Sequence, residues 1–194
     1  LASHEPIIFL NSAVNSLVIA CYKIANDIRL LASGPRCGIG ELILPSNEPG
    51  SSIMPGKVNP TQCEAMAQVC LHLQGLYASN FFAGTQGHFQ LNANKTLIIF
   101  NSLRSINLIS DAMKSLRTRC LEKIIANKDE IEKNLNNSLM LITALNPKIG
   151  YEKSAEIAKK AFKEKITLRE ATIKLGYLNE REFDSLVDPK KMVK

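Results

Sequence analysis

The chain has 194 residues and a mass of 21.4 kDa, one domain or one and a piece at about 100–200 residues per domain. With 45% hydrophobic and 22% charged residues it reads as folded rather than disordered, and no stretch is expected to approach the roughly 20 apolar residues of a membrane span. The formal charge of +6 is spread as +4 over residues 1–128 and +2 over 129–194. Without Trp, and with no basic stripe, little equips the chain for nucleic acid.

The five cysteines, at 21, 37, 63, 70 and 120, are odd in number and form no C-x-x-C. That pattern argues against a disulfide framework or a zinc site and fits a reducing compartment. Cys21, Cys63 and Cys70 fall at helix positions that read as buried, where a thiol acts as a small apolar group. The opening Leu1-Ala2-Ser3-His4 has no initiator Met and no signal-peptide pattern. It reads as a piece of a longer protein, whose targeting segment could lie outside it.

In chain order, Leu10, Val14, Leu17, Cys21, Ile24, Ile28 and Leu31 alternate spacings of four and three, predicting one long helix over 9–33. Gly34-Pro35 ends it. Residues 34–58 hold Pro45, Pro49 and Pro55 and are expected to be a loop, with Gly50 and Gly56 as hinges. Asn59 as N-cap, Pro60 at the first helical position and Gln62 at capping-box spacing predict a second helix to about residue 82, with Cys63, Met66, Cys70, Leu73 and Tyr77 as its stripe. After a turn at Gly84 and Gly87, a third helix is expected over 91–121, apolar on several faces. Three such rods carry more apolar stripe than they can cover among themselves, so they call for partner helices. Beyond Asn127 the pattern shifts to short, charged helical segments at 128–145, 151–164, 168–175 and 180–187. The fold class is therefore all-α: a long-helix bundle, 1–128, followed by a small helical C-terminal domain, 129–194.

The segment richest in chemistry is Gly50-Ser51-Ser52-Ile53-Met54-Pro55-Gly56-Lys57-Val58-Asn59-Pro60. Two adjacent hydroxyls, a fixed cation, an amide and the amide-rich start of a helix suit a small carboxylate or phosphate. The spacing is not that of a P-loop or a nucleophile elbow. On the residues alone, an anion-binding loop and a structural turn with a helix cap stand equal. Asn59 could serve either.

This stretch resembles the signature loop of the fumarase/aspartase superfamily, matching G-S-S-x-M-P-x-K-x-N-P at every fixed position. Ser33-Gly34-Pro35-Arg36-Cys37-Gly38-Ile39-Gly40-Glu41, Thr61-Gln62-Cys63-Glu64-Ala65 and Ser138-Leu139-Met140-Leu141-Ile142-Thr143-Ala144-Leu145-Asn146 are similar to class II fumarases. Aspartases typically carry Ala where this chain has Gly56, and differ after Pro60. Essentially the whole chain aligns with the C-terminal portion of the family.

The resemblance implies reversible hydration of fumarate to (S)-malate in the tricarboxylic acid cycle, without metal or organic cofactor. It implies that Ser51 is the base, that Ser52, Lys57, Val58 and Asn59 bind substrate carboxylate, and that Lys57 also contributes to catalysis. Glu64 on composition alone complements the helix dipole; by resemblance it orients a catalytic His that lies upstream of Leu1. His4, His72 and His88 match no family motif and read as structural or surface residues. A homotetramer is implied, with this chain inactive alone, in the cytoplasm or, in a eukaryote, the mitochondrial matrix. Aspartate ammonia-lyase and a non-catalytic helical interaction module are the alternatives.

Overall fold

The computed structural model describes residues 2–193, which divide into two compact units, one ending at Asn127 and the other beginning at Lys128. Among the described residues the fold is all-α apart from one two-stranded ladder and an isolated bridge between His88 and Leu91.

The first unit is built on three long helices: α1 (Glu5–Leu31), α2 (Thr61–Gly84) and α3 (Lys95–Arg119). α1 starts and ends earlier than the hydrophobic repeat predicts, because Pro6 fits its first turn and Gly34-Pro35 is preceded by a turn at Ala32. α1 and α2 are antiparallel: Asn11 bonds Asn80 and Ser12 meets Tyr77, while Arg29, at the far end of α1, faces Glu64. The core between the helices is Val18, Cys21 and Ala25 of α1, Cys63, Met66, Cys70 and Leu73 of α2, and Ile109 and Leu116 of α3, with Cys120 at its end. Burial pushes the Cys63 thiol, with Cys120 beside it, up to about 12 and the Cys70 thiol up to about 11. These sulfurs behave as apolar filling, as their spacing predicts.

The repeat on α1 is shifted from the predicted stripe. The buried positions are Asn11, Val18, Cys21 and Ala25, whereas Leu10, Leu17 and Ile24 are exposed. Two apolar stripes lie side by side on this helix, and the one packed within the chain contains an asparagine. The expectation of no membrane-length apolar segment also needs correction: α1 is long and apolar enough to cross a membrane, with a mean hydropathy of 1.6 over 18 residues. Asn11, Ser12, Asn15 and Ser16 break its run of apolar residues, so the average is high without an uninterrupted stretch. Leu97, Ile99, Phe100, Leu103 and Ile106 of α3 are likewise exposed.

Four buried polar residues of the first unit, Asn11, Asn80, Asn101 and Ser102, form one network. Asn80 is fully buried and donates to Asn11 Oδ1 (3.1 Å), the Ile98 carbonyl (3.3 Å) and Ser102 Oγ (3.2 Å), while its own carbonyl accepts from Asn101 (3.1 Å). Asn11 closes the ring by donating to Ser102 Oγ at 2.9 Å. An unpaired amide buried here would cost about 1–3 kcal/mol, so the network ties all three helices into one register.

The 34–58 segment is not wholly irregular. β1 (Leu42–Ile43) pairs antiparallel with β2 (Ile125–Ala126), Leu42 opposite Ala126. Asn127 extends the clasp, its backbone N–H donating to the Glu41 carbonyl and its side chain to the Gly40 carbonyl, both at 2.9 Å.

The second unit packs α4 (Lys128–Asn137), a 3-10 segment over Leu139–Leu145, α5 (Asn146–Ile149), α6 (Tyr151–Glu164), α7 (Leu168–Lys174), α8 (Glu180–Leu186) and α9 (Pro189–Met192). Its core is Leu145, Ile157, Ala161, Leu168, Ala171, Leu178 and Phe183. Thr167 with Glu170 and Asn179 with Glu182 form full capping boxes that start α7 and α8. Such reciprocal caps satisfy helix N–H groups that short helices cannot spare.

Candidate active site

The signature segment forms a loop closed at its base. Asn59 Nδ2 donates to the Gly50 carbonyl at 2.5 Å, and the Lys57 carbonyl lies so close to Gly50 that a Cβ there would sit 2.1 Å from it. Gly50 is therefore the neck of the loop, where the close approach of the Lys57 backbone leaves no room for a Cβ. Gly56 differs: its φ is +77° and open space surrounds it, so it retains the freedom the sequence reading assigned to both glycines.

Asn59 does not cap α2. The helix begins at Thr61 with Pro60 in the cap position, and no side chain there accepts from its first turn. The expected capping box is also absent, because Gln62 Oε1 instead accepts from Ser115 Oγ of α3 at 3.0 Å. Thr61 donates its hydroxyl to the Glu48 carboxylate, a neighbour across the loop that sequence spacing did not reveal.

Within the loop, Ser51 Oγ accepts backbone N–H groups from Ile53 and Met54, both at 3.0 Å. Two donors fixed on one hydroxyl oxygen favour negative charge on it. Ser52 is exposed beside it, as are Lys57 and Val58. Lys57 and Val58 take part in two concavities. One, of about 510 Å³, lies on the loop and includes Glu48, Ser51 and Met54. The other is a cleft of about 550 Å³ between the loop, the end of α1 and the start of α2, lined by Arg29, Ser33, Lys57, Pro60, Glu64 and Asn127 among others. The structure thus brings Lys57, Val58 and Glu64 to one cleft and Ser51 to the neighbouring groove. Lys57 and Val58 line both, while Ser52 and Asn59 line neither.

Glu64 occupies the first turn of α2, where a carboxylate complements the helix dipole. Its partner is Arg29 of α1, with Nε 3.9 Å from Oε1. Sequence reasoning missed Arg29. Its signal is weak: a basic residue in the last turn of a helix, explained equally well by the dipole. His72 and His88 are exposed on the protein surface, and neither lines the cleft.

The family description "Fumarase C C-terminus" matches residues 141–194, and "Lyase" matches residues 1–75. The chain is 58% identical over 192 residues to the class II fumarate hydratase of Listeria monocytogenes serotype 4b, covering 99% of this chain and 42% of that protein. It is 55% identical to the mitochondrial fumarate hydratase of Dictyostelium discoideum, covering 100% and 40%. The crystal structure of class II fumarase from Schistosoma mansoni superposes with a TM-score of 0.94 at 42% identity, over 99% of this chain and 40% of that one. The chain spans about two fifths of the length of the curated relatives it matches. With both ends matched by family descriptions and nearly every residue superposed on a lyase of the same fold, the chain belongs to the fumarase/aspartase superfamily, where it corresponds to the C-terminal portion of the class II fumarases.

Proposed function

We propose that this chain is the C-terminal part of a class II fumarate hydratase, catalysing reversible hydration of fumarate to (S)-malate within a full-length homotetramer. Its first unit is the C-terminal part of the enzyme's central helical bundle, its second the small C-terminal domain. The observation that carries the reading is the pair of backbone N–H groups held on Ser51 Oγ. A serine is a poor base unless its alkoxide is stabilised. Two fixed donors, with a lysine six residues on in the same groove, supply that stabilisation.

In the malate-to-fumarate direction, Ser51 takes a proton from the carbon beside a substrate carboxylate. Charge then moves onto that carboxylate, giving an aci-carboxylate. Lys57, the Val58 backbone, Ser52 and Asn59 are its proposed ligands, and α2, which follows the loop directly, starts without a side-chain cap on its first-turn N–H groups. Lys57 adds charge where charge changes most, so it contributes to rate as well as to binding. An acid on the opposite face, an imidazole from the upstream part of the enzyme oriented by Glu64, helps hydroxide depart. Neither metal nor organic cofactor enters this scheme. The curated relatives quoted above are named fumarate hydratases rather than aspartate ammonia-lyases, and side-by-side assays with L-malate and L-aspartate separate the two.

The exposed stripes of α1 and α3 are read as surfaces covered by other helices of the tetramer. The compartment follows the source: cytoplasm in a bacterium, mitochondrial matrix in a eukaryote.

The test is Ser51→Ala in the full-length enzyme. Turnover is expected to fall by about a thousandfold or more, the scale on which losing a catalytic base acts, while the oligomer stays assembled. Near-normal turnover in an assembled Ser51→Ala enzyme rules the assignment out.

A further inference from the structure

We infer that Arg29 is a positioning residue that acts through Glu64, holding its carboxylate on the cleft wall with the second oxygen turned toward the group completing the site. The inference rests on the function proposed above and adds to it a residue on a different helix.

Arg29 follows Cys21 and Ala25 at steps of four along α1, and both of those are buried against α2. The same helix face therefore carries Arg29 to α2 just where α2 begins. Because α1 and α2 are antiparallel, the negative end of one helix dipole lies beside the positive end of the other. Arg29 sits in the last turn of α1 and Glu64 in the first turn of α2, so each charge is stabilised by its own helix end and by the other residue.

At 3.9 Å, Arg29 Nε and Glu64 Oε1 form an ion pair longer than a hydrogen bond. Among the described residues, Arg29 is the one cation paired with Glu64, and both line the 550 Å³ cleft with Lys57. Each side chain is a little under half exposed, so the pair adds little to stability. Its consequence is geometric. A carboxylate paired with Arg29 through Oε1 keeps Oε2 for a second partner, and both residues line the cleft where that partner would enter. A carboxylate without that pairing samples several rotamers, and catalysis is sensitive to displacements of about 1 Å.

The test is a kinetic cycle on the assembled full-length enzyme: wild type, Arg29→Gln, Arg29→Lys, Glu64→Gln, and Arg29→Gln with Glu64→Gln. Arg29→Gln is expected to lower kcat about tenfold, with KM changed less than about twofold and the melting temperature unmoved. Arg29→Lys should recover most of the lost rate, because a cation remains near Oε1. In the Glu64→Gln background, Arg29→Gln should lower kcat by less than about twofold more, since residues acting as one unit are not additive. Should the Gln variant fail to assemble, Arg29→Met must reproduce the kcat loss and Arg29→Lys recover it. A rise in KM at constant kcat would mean that Arg29 binds substrate directly, and an equal further loss on top of Glu64→Gln would mean that it acts independently. Either result overturns the inference, as does an unchanged kcat in Arg29→Gln. A wild-type enzyme that does not hydrate fumarate, or full turnover in Glu64→Gln, instead places the failure in the proposed function.

Discussion

The start of α2 in the first unit contrasts with the starts of α7 and α8 in the second. In the second unit α7 and α8 begin with complete capping boxes, Thr167 with Glu170 and Asn179 with Glu182. In the first unit α2 begins with Pro60 and no side-chain cap, although Asn59 and Gln62 stand at the right spacing to provide one. Asn59 is used instead to close the loop on Gly50, and Gln62 to bond α3. A side-chain cap would fill N–H groups at the helix start that directly follows the signature loop. α1, α3 and α6 also begin without a side-chain cap, so the contrast is between helix starts rather than whole units: those of α7 and α8 follow local folding rules, while that of α2 diverts its candidate capping residues where an anion is proposed to bind.

The sharpest way to break this comparison is at the loop neck. Gly50→Ala places a Cβ 2.1 Å from the Lys57 carbonyl, which the backbone cannot accommodate without moving. Because that carbonyl belongs to the proposed carboxylate-binding residue, the expected result is a loss of turnover of about a hundredfold in the full-length enzyme. The melting temperature should change little, since the loop lies outside the helical core. Steady-state kinetics beside calorimetry check this. A large loss of stability with turnover per folded molecule intact would show the neck to be scaffold only.

The next effect is on stability. Asn80→Ala deletes a fully buried side chain and leaves Asn11, Asn101 and Ser102 short of partners. Destabilisation of about 2–4 kcal/mol is expected, read from denaturant midpoints or from hydrogen exchange in α1–α3. If the first unit were held by its apolar core alone, the cost would be nearer that of removing one small side chain.

What the sequence made legible follows the same division. The three long helices, the helices near 151–164, 168–175 and 180–187, and the burial of Cys21, Cys63 and Cys70 were readable, because each depends on spacing within one element; the break of 128–145 into α4 and a 3-10 stretch and the burial of Cys120 were not. The signature loop was readable from its residue types. The packed face of α1 was not, because Leu10, Leu17 and Ile24 form as good a stripe as the one that packs, and Asn11 looks like a solvent residue until Asn80 and Ser102 are placed against it. The clasp of β1 with β2, the Asn59–Gly50 bond and the Arg29–Glu64 pair each join residues on different elements or across a loop. No period or motif encodes them.

Smaller still is the cap of α7. Thr167→Ala removes the hydroxyl that accepts from the Glu170 N–H at 3.1 Å. A cost of about 1 kcal/mol is expected, confined to the second unit and visible as faster amide exchange in α7 and α8 with α1–α3 unaffected. Equal loosening of both units would show that they melt as one.

The weakest effect should be an acid sensitivity found in the second unit. Hydrogen bonds from Lys160 and Lys174 hold the Glu164 carboxyl below its ordinary value, the Thr167 backbone and hydroxyl do the same for Glu170, and Arg169 does so for Asp184. A carboxylate whose folded pKa is depressed contributes stability above its unfolded pKa and loses it as pH falls through the folded one. The unfolded values are about 4.5 for Glu and 3.8 for Asp, so the loss begins near the upper figure and deepens below the lower. All three groups are exposed and their pairs are screened by water and salt, so the slope should be shallow and should flatten further in high salt. Amide exchange followed from pH 5.5 to 3, with and without added salt, measures it unit by unit: α6–α8 should lose protection first. Earlier loss in α1–α3 would place the acid-labile contacts in the proposed catalytic unit and reverse the comparison.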